Sequence, residues 1–563
     1  MIASLTPGLI LVAGGLLLPL VPARLRNPFM LLLPLLGFWQ LLQIPDGTVQ
    51  TLQVMGLELT HLRVDRLSLL FGYIFHLAAF LSVIYAFGLK DLRQQVAALI
   101  YAGSAIAALF AGDLLTLFIY WELTAIASVF LIWARGTERA FTAGMRYLLV
   151  QVASGVILLA GLTIRYAATD SIAFGPIGLD SAGGVLIFIA FGIKCAFPLL
   201  HNWLQDAYPE ATITGTVFLS AFTTKLAVYA LARGYAGTEM LIWIGALMTA
   251  FPIFYAVIEN DLRRVLAYSL NNQLGFMVVG IGVGTELALN GTAAHAFAHI
   301  LYKALLFMSI GAVLLRTGTA NGSQLGGLYK SMPWTAAFCI IGAASISAFP
   351  LLSGFVTKAL IMSATAQNGY VWVSLVLLFA SAGVFHHSGI KIPYFAFFAH
   401  DAGHRVKEAP PAMLVAMGIT AFLCVAIGVY PAPLYAILPF ALDYAPYTTT
   451  HVVTQMQLLL FSALAFAVLM RTGIYPPELR STNLDSDWVY RRALPAVLGA
   501  LGRGLGRISA LGAKIVGWAQ RHGNARLQRH YGPEGTLARS WPTGLMALWV
   551  AIMLVVSLVL YYI

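Results

Sequence analysis

Charge is scarce in this chain. Asp, Glu, Lys and Arg make up only 10% of its 563 residues, where soluble domains carry about 25%. With 60% of the residues hydrophobic, a water-soluble fold is excluded. Cysteine is also rare. Cys195, Cys339 and Cys424 each fall in an apolar segment and none has a close neighbour. Neither a disulfide framework nor a zinc site is indicated, and they read as small packing residues. Missing too are a phosphate-binding glycine loop, a nucleophile elbow, a CxxC pair and a nucleotide fingerprint. Covalent catalysis is not expected, nor a resident cofactor or metal, and a redox centre would have to sit on another chain. The first apolar segment starts without Lys or Arg, and no small-residue cleavage pattern follows it, so it reads as a retained span and not a signal peptide.

Long apolar runs fill the space left by the missing charge. About 20 apolar residues cross a bilayer as a helix, and about sixteen such segments can be picked out, among them 9–21, 68–87, 141–164, 240–258, 412–430 and 545–563. The net charge of +11 does not point to a nucleic-acid partner, because the basic residues gather in alternate loops: Arg24/Arg26, Lys90/Arg93, Arg135/Arg139, Arg263/Arg264, Arg316/Lys330 and Arg405/Lys407. The loops between carry Asp170, Asp180, Glu286 and Asp443. By the positive-inside rule the N-terminus faces away from the cytoplasm, and an even number of spans returns the C-terminus to that side.

The chain divides by character. Residues 1–93 hold plain scaffold spans and a polar connection at 45–65. Residues 94–235 and 236–400 contain ionisable groups, prolines and glycines inside apolar runs, and read as a first and a second transport repeat. Residues 401–473 are flanking spans. Residues 474–540 carry Arg491, Arg492, Arg503, Arg507, Lys514, Arg521, Arg526 and Arg529 among Leu, Val, Ile and Trp518. Such a basic amphipathic segment lies on a membrane surface with anionic headgroups, or across neighbouring subunits. Its many glycines predict an imperfect helix. Residues 541–563 re-enter the bilayer as an anchor.

The string Ala-Phe-Pro-Leu-Leu occurs at 196–200 and again at 348–352. Proline removes a helical hydrogen bond, and freed carbonyls are tolerated in lipid only where protein or water meets them. Interrupted helices in corresponding places of two halves mark the ion path of an inverted-repeat transporter; two unrelated kinks are the alternative.

A charge at the bilayer centre costs about 2.5–3.5 kcal/mol even on the lenient insertion scale. Those that occur are therefore candidate working parts: Glu122, Lys194 four residues before Pro198, Lys225, Lys303, Lys358 after the second proline, and Lys391. His295, His299 and Lys303 are spaced by four and share a helical face, as do His387 and Lys391. No Glu and no third ligand accompany the histidines, so a proton or water wire is favoured over a metal, with packing histidines as the alternative. Burial lowers a lysine's affinity for its proton and a nearby carboxylate restores it. A lysine whose carboxylate partner approaches and retreats can thus load and release a proton, where a fixed pair would be a static ion bridge.

At these residues the sequence resembles the proton-translocating antiporter-like subunits of respiratory complex I and of the multisubunit Mrp cation/proton antiporters, over roughly 60–430. The likeness runs through Trp121-Glu122, Lys194, His201 to Ala207, Asp261 to Ser269, His299 to Lys303, Gly326-Gly327-Leu328 and Ser353 to Lys358. The stretches 206–211, 220–225 and 387–394 look most like the D subunit of Mrp antiporters. The resemblance implies an all-α polytopic membrane protein with about fourteen core transmembrane helices, two inverted repeats and broken helices. Here a basic amphipathic segment and a further C-terminal span follow, as in the largest complex I antiporter-like subunit. It implies an ion-translocating subunit of a sodium/proton antiporter in a bacterial inner membrane, a transport subunit and not an enzyme, partnered by other membrane subunits of the complex. The alternatives are a pumping subunit of a redox complex such as complex I or a membrane-bound hydrogenase, and a scaffold without an ion path. It also assigns roles: Glu122 and Lys194 the coupled pair, Lys225 the central relay, His295, His299 and Lys303 the wire, Lys358 the terminal group, and Lys391 a further member.

Overall fold

The computed structural model of the chain describes residues 5–479 and 483–563. The first four residues of the 1–93 segment and residues 480–482 of the 474–540 segment lie outside the described residues. The chain forms two units, Met1–Asn483 and Leu484–Ile563.

The first unit opens with α1 (Leu9–Leu17), α2 (Ala23–Leu42) and α3 (Arg66–Tyr85). The connection at 45–65, expected to be merely polar, is a β-hairpin of β1 (Val49–Val54) and β2 (Leu57–Arg63). Its turn places Met55 and Gly56 at φ 51° and 84°, the left-handed pair that a tight hairpin needs. Asp65 caps α3, accepting from the Ser68 amide at 2.9 Å in a capping box.

Next come α4 (Leu92–Leu109), α5 (Leu114–Trp133), α6 (Glu138–Thr169), α7 (Ala182–Lys194), α8 (Asn202–Ala207), α9 (Ile213–Ala221) and α10 (Thr223–Gly234). A matching series follows: α11 (Met240–Ile258), α12 (Leu262–Val283), α13 (Glu286–Thr317), α14 (Pro333–Ile346), α15 (Ser353–Gln367) and α16 (Val371–Val384), the last continued by π-helical turns at Phe385–Lys391 and Tyr394–Phe398. Then α17 (Pro411–Val429), α18 (Ala432–Ala436) and α19 (Thr449–Thr472) close the unit. Among the described residues eleven helices are long and apolar enough to cross a membrane. The apolar α7 and α14 are shorter because each ends at a break.

The two series are copies. Asp113 and Asp261, 148 positions apart, cap α5 and α12 through their side chains. Each makes an isolated bridge to a residue beyond the following helix, Ala173 and Asn321, again 148 apart. Between them α6 and α13 are both 32 residues long, each capped by a threonine, Thr137 and Thr285. The breaks match in backbone detail. Ala196 and Leu199 have φ 61° and 69°, and Ala348 and Leu351 have 57° and 71°. Phe197 N–H reaches back five residues to the Gly192 carbonyl and Phe349 N–H to that of Ala344, both at 3.0 Å. Left-handed backbone at a non-glycine residue costs about 1–2 kcal/mol, so four such residues in two identical pairs mark a built device. Five rods, α4, α5, α6, α7–α8 and α9–α10, precede α11 in the series. An odd number of passes starts the second copy on the opposite side, so the repeats are inverted. The fold is that of an all-α polytopic membrane protein with broken helices.

The second unit holds a π-helical turn at Val489–Ala493, then α20 (Leu494–Tyr531) and α21 (Thr543–Tyr562). The tail expected to be an imperfect helix is one continuous α-helix of 38 residues. Isolated glycines cost about 1 kcal/mol each against alanine; they weaken a helix without stopping it.

Candidate functional site

The site lies along the two breaks and the helices between them. Pro198 cannot donate to the Lys194 carbonyl, so α7 stops at Lys194 itself. The fully buried ammonium of Lys194 donates to the Trp121 carbonyl at 2.5 Å and to Thr124 Oγ1 at 3.1 Å, and lies 4.3 Å from the Trp121 ring centre. Trp121 is in turn fixed by Ser154, which accepts from its indole N–H at 3.0 Å. Glu122, half-buried on α5, is an electrostatic neighbour of Lys194. Its carboxylate fits against α6 because Gly155 lacks a side chain there; a Cβ at Gly155 would overlap it.

The next base is Lys225. The helix is discontinuous at Phe222, which separates α9 from α10 and leaves the Ser220 carbonyl open. Lys225 donates to that oxygen at 2.6 Å. Lys225 is an electrostatic neighbour of Cys195, next in the chain to Lys194, and of His299 and Lys303 on α13. From this hub the structure runs two ways. One arm goes through His295, whose Nδ1 is 3.2 Å from Thr357 Oγ1 and whose Nε2 is 3.1 Å from Gln273 Oε1, to Lys358 on α15. Lys358 lies 5.1 Å from the Phe276 ring centre. The other arm goes through His387, an electrostatic neighbour of both Lys303 and Lys391. Lys391 donates to the carbonyls of Val257 and Glu259, both at 2.7 Å, and pairs with Glu478 at 2.9 Å. The two arms meet at His299 and Lys303 of α13, beside Lys225.

The repeat offset explains why the two halves carry different charges. Positions 147, 151 and 155 of α6 correspond to 295, 299 and 303 of α13. In the first copy this face reads Tyr147, Gln151 and Gly155; in the second it reads His295, His299 and Lys303. Opposite, Glu122 of α5 corresponds to Leu270 of α12. The acid sits on one helix of the first pair and the base on the other helix of the second.

Several residues of the site do not stand out in the sequence. Asn271 donates to the Ala196 carbonyl freed at the first break, at 2.8 Å, and Trp203 Nε1 meets the Ile193 carbonyl at 2.9 Å. Gln455 meets the Ser347 carbonyl at the second break, at 3.1 Å. Three consecutive amides, Asn271-Asn272-Gln273, inside an apolar run were the available signal. Glu478 gave none, since it lies in a polar stretch of what reads as the tail. In the structure Tyr475 of that stretch packs with Phe466 and Phe395. Burial pushes the Glu478 carboxyl above the usual carboxylate range, with Lys391 pulling it back.

The chain is similar to known proteins. Residues 111–432, more than half of the chain, match the family described as NADH:quinone oxidoreductase/Mrp antiporter, TM. Hydrogenase-4 component B of Escherichia coli (strain K12) is 28% identical over 370 residues, which cover 58% of this chain and 55% of that protein. The D subunit of the Na(+)/H(+) antiporter of Alkalihalophilus pseudofirmus is 31% identical over 325 residues, covering 54% and 65%. The chain thus spans less than two thirds of the length of these relatives. A chain of the membrane-bound sulfane sulfur reductase, an archaeal respiratory membrane complex, is similar in fold with a TM-score of 0.72 at 22% identity, over 99% of this chain and 100% of that one. By the match over residues 111–432, this chain belongs to the NADH:quinone oxidoreductase/Mrp antiporter transmembrane family.

Proposed function

We propose that the chain is the ion-translocating subunit of a multisubunit Mrp-like monovalent cation (sodium)/proton antiporter. Protons move along the mid-membrane chain of Glu122, Lys194, Lys225, His299, Lys303, His295, Lys358 and Lys391. The observation that carries this reading is the set of buried bases at the two helix breaks and on the helices between them, Lys194, Lys225, His299, Lys303, His295 and Lys358. A buried ammonium costs several kcal/mol, and five buried lysines in one unit outnumber what a scaffold needs. Lys194 rests on a carbonyl and a hydroxyl beside Glu122. A change in that pairing alters the proton affinity of Lys194 and sets the direction of transfer. In this reading residues 94–235 and 236–400 are the two transport repeats. The membrane is the bacterial inner membrane, with both termini on the non-cytoplasmic side. Other membrane subunits of the complex are its partners.

A second reading keeps the same proton path and drives it by redox chemistry on partner proteins. The hydrogenase-type relative and the full-length likeness to a chain of a reductase complex favour it. Sealed vesicles holding the purified complex decide between the two. Under the first reading a sodium gradient alone moves protons, with no electron donor. Movement only with a donor, together with co-purifying iron–sulfur or flavin proteins, overturns it in favour of the second. Under either reading, Lys194→Ala and Glu122→Ala abolish proton flux while the subunit stays assembled. Full flux in both variants overturns the charge-pair mechanism.

A further inference from the structure

Two carbonyls 148 positions apart are held by the helix that closes each repeat. Tyr229 of α10 donates to the Leu109 carbonyl at the end of α4. Lys391, in the turns that continue α16, donates to the Val257 carbonyl near the end of α11. Each place also holds an ion pair whose acid comes from outside the repeats. In the first copy Arg233 bonds to the Tyr229 hydroxyl at 2.9 Å and grips Asp65, just before α3, by two N–H···O bonds of 2.8 and 2.9 Å. In the second, Lys391 pairs with Glu478, which follows α19. Because the repeats are inverted, the two ion pairs belong to opposite membrane faces.

The cations differ in one decisive respect. A guanidinium does not give up its proton in a protein, and its planar fork on a carboxylate is rigid. An ammonium does give it up, more readily when buried. The Lys391 pair also adjoins the buried bases, since His387, buried four positions before Lys391, is an electrostatic neighbour of both Lys303 and Lys391. The Glu478 side chain is 6% exposed and lies on non-helical backbone between exposed Pro477 and Leu479. Exposed non-helical backbone does not occur within the hydrocarbon of a bilayer, so this stretch belongs where the chain has left the lipid.

We propose that Lys391 and Glu478 are the pair through which the buried bases exchange protons with one aqueous face, and that Arg233 and Asp65 seal the equivalent point on the other. This rests on the proton-conducting reading above. In the step, one N–H bond of the Lys391 ammonium breaks and an O–H bond forms at Glu478 Oε1, leaving a neutral amine and a carboxylic acid. The acid releases its proton to water, and the amine takes the next one from the protonated imidazole of His387.

The test uses the intact complex in proteoliposomes loaded with a pH-sensitive dye. Lys391→Arg keeps the charge and the capping bonds but not the release. Glu478→Gln keeps an acceptor oxygen without a carboxylate, and Glu478→Asp keeps the carboxylate. Lys391→Arg and Glu478→Gln are expected to lower proton flux at least tenfold with assembly and Tm unchanged, and Glu478→Asp to retain a substantial part of it. Wild-type flux in Lys391→Arg and Glu478→Gln overturns the proposal and leaves the pair a static cap on α11. If Lys391→Arg fails to assemble, Glu478→Asp decides: flux no better than in Glu478→Gln overturns the proposal as well. Arg233→Lys, which puts a releasable proton at the sealed end, is expected to speed dissipation of an imposed pH gradient at least threefold, and an unchanged rate overturns the sealing half. Lys194→Ala separates the two levels. If it carries full flux, the proton-conducting reading has failed; if it is inactive while Lys391→Arg is normal, only this inference has.

Discussion

At the residue scale, position 155 of α6 and its counterpart 303 of α13 are the sharpest contrast. Gly155 makes room for the Glu122 carboxylate, and Lys303 is fully buried. Gly155→Ala displaces the far end of a flexible side chain, which costs little stability but moves the carboxylate. Proton flux is expected to fall at least tenfold while the Tm of the purified complex stays near wild type; normal flux would separate the carboxylate's position from transport. Lys303→Met removes a buried ammonium and keeps an apolar chain of similar length. A buried charge without an ion-pair partner is costly to keep out of water, so its replacement by apolar atoms removes that cost. The variant is expected to have no flux and a Tm at or above wild type, measured by thermal scanning in detergent. A large fall in Tm would mean that Lys303 serves the fold. These lysines were legible in the sequence because each interrupts an apolar run where charge is expensive. Glu478 was not, because a carboxylate in a proline-rich polar stretch is ordinary until the fold brings it 2.9 Å from Lys391.

At the scale of elements, the breaks were legible and their form was not. Proline announces that a helix stops, but only the structure shows left-handed backbone at Ala196, Leu199, Ala348 and Leu351. Leu199 and Leu351 are 73% and 58% exposed, so their side chains contribute little packing within the subunit and the backbone sets the cost of replacing them. A β-branched residue suits this conformation worse than leucine, and glycine suits it best. Leu351→Ile is expected to destabilise the subunit by about 1–2 kcal/mol and Leu351→Gly to leave it unchanged, read as the order of their Tm values. The reverse order would place the leucine side chain, and not φ, in control. The hairpin and the long basic helix escaped the sequence for related reasons. A two-residue turn and an amphipathic stripe are short-range signals, and here polar composition and frequent glycines obscured them.

For the whole molecule, the hydrophobic clusters of the first unit draw, among the described residues, on positions up to Tyr475. A chain ending at Asn483 therefore keeps its core. Removal of Leu484–Ile563 is expected to leave a subunit that inserts and melts as before, and to lower the yield of partner subunits recovered with it. Loss of the melting transition would show that the tail is needed for folding. The paired prolines made the repeat visible in the sequence; the residue-by-residue match was not, because at 148 positions' distance most matching residues have changed type while caps, helix lengths and backbone angles have not.

That persistence of form over residue identity has a historical meaning. Five rods repeated upside down arise when a gene for one half is duplicated and joined to itself. Such a half must once have entered the membrane in either direction, since its two descendants now lie in opposite orientations within one chain. The residues that differ between the copies are then a record of divergence. Glu122 against Leu270 and Gly155 against Lys303 trace how two once interchangeable halves grew apart.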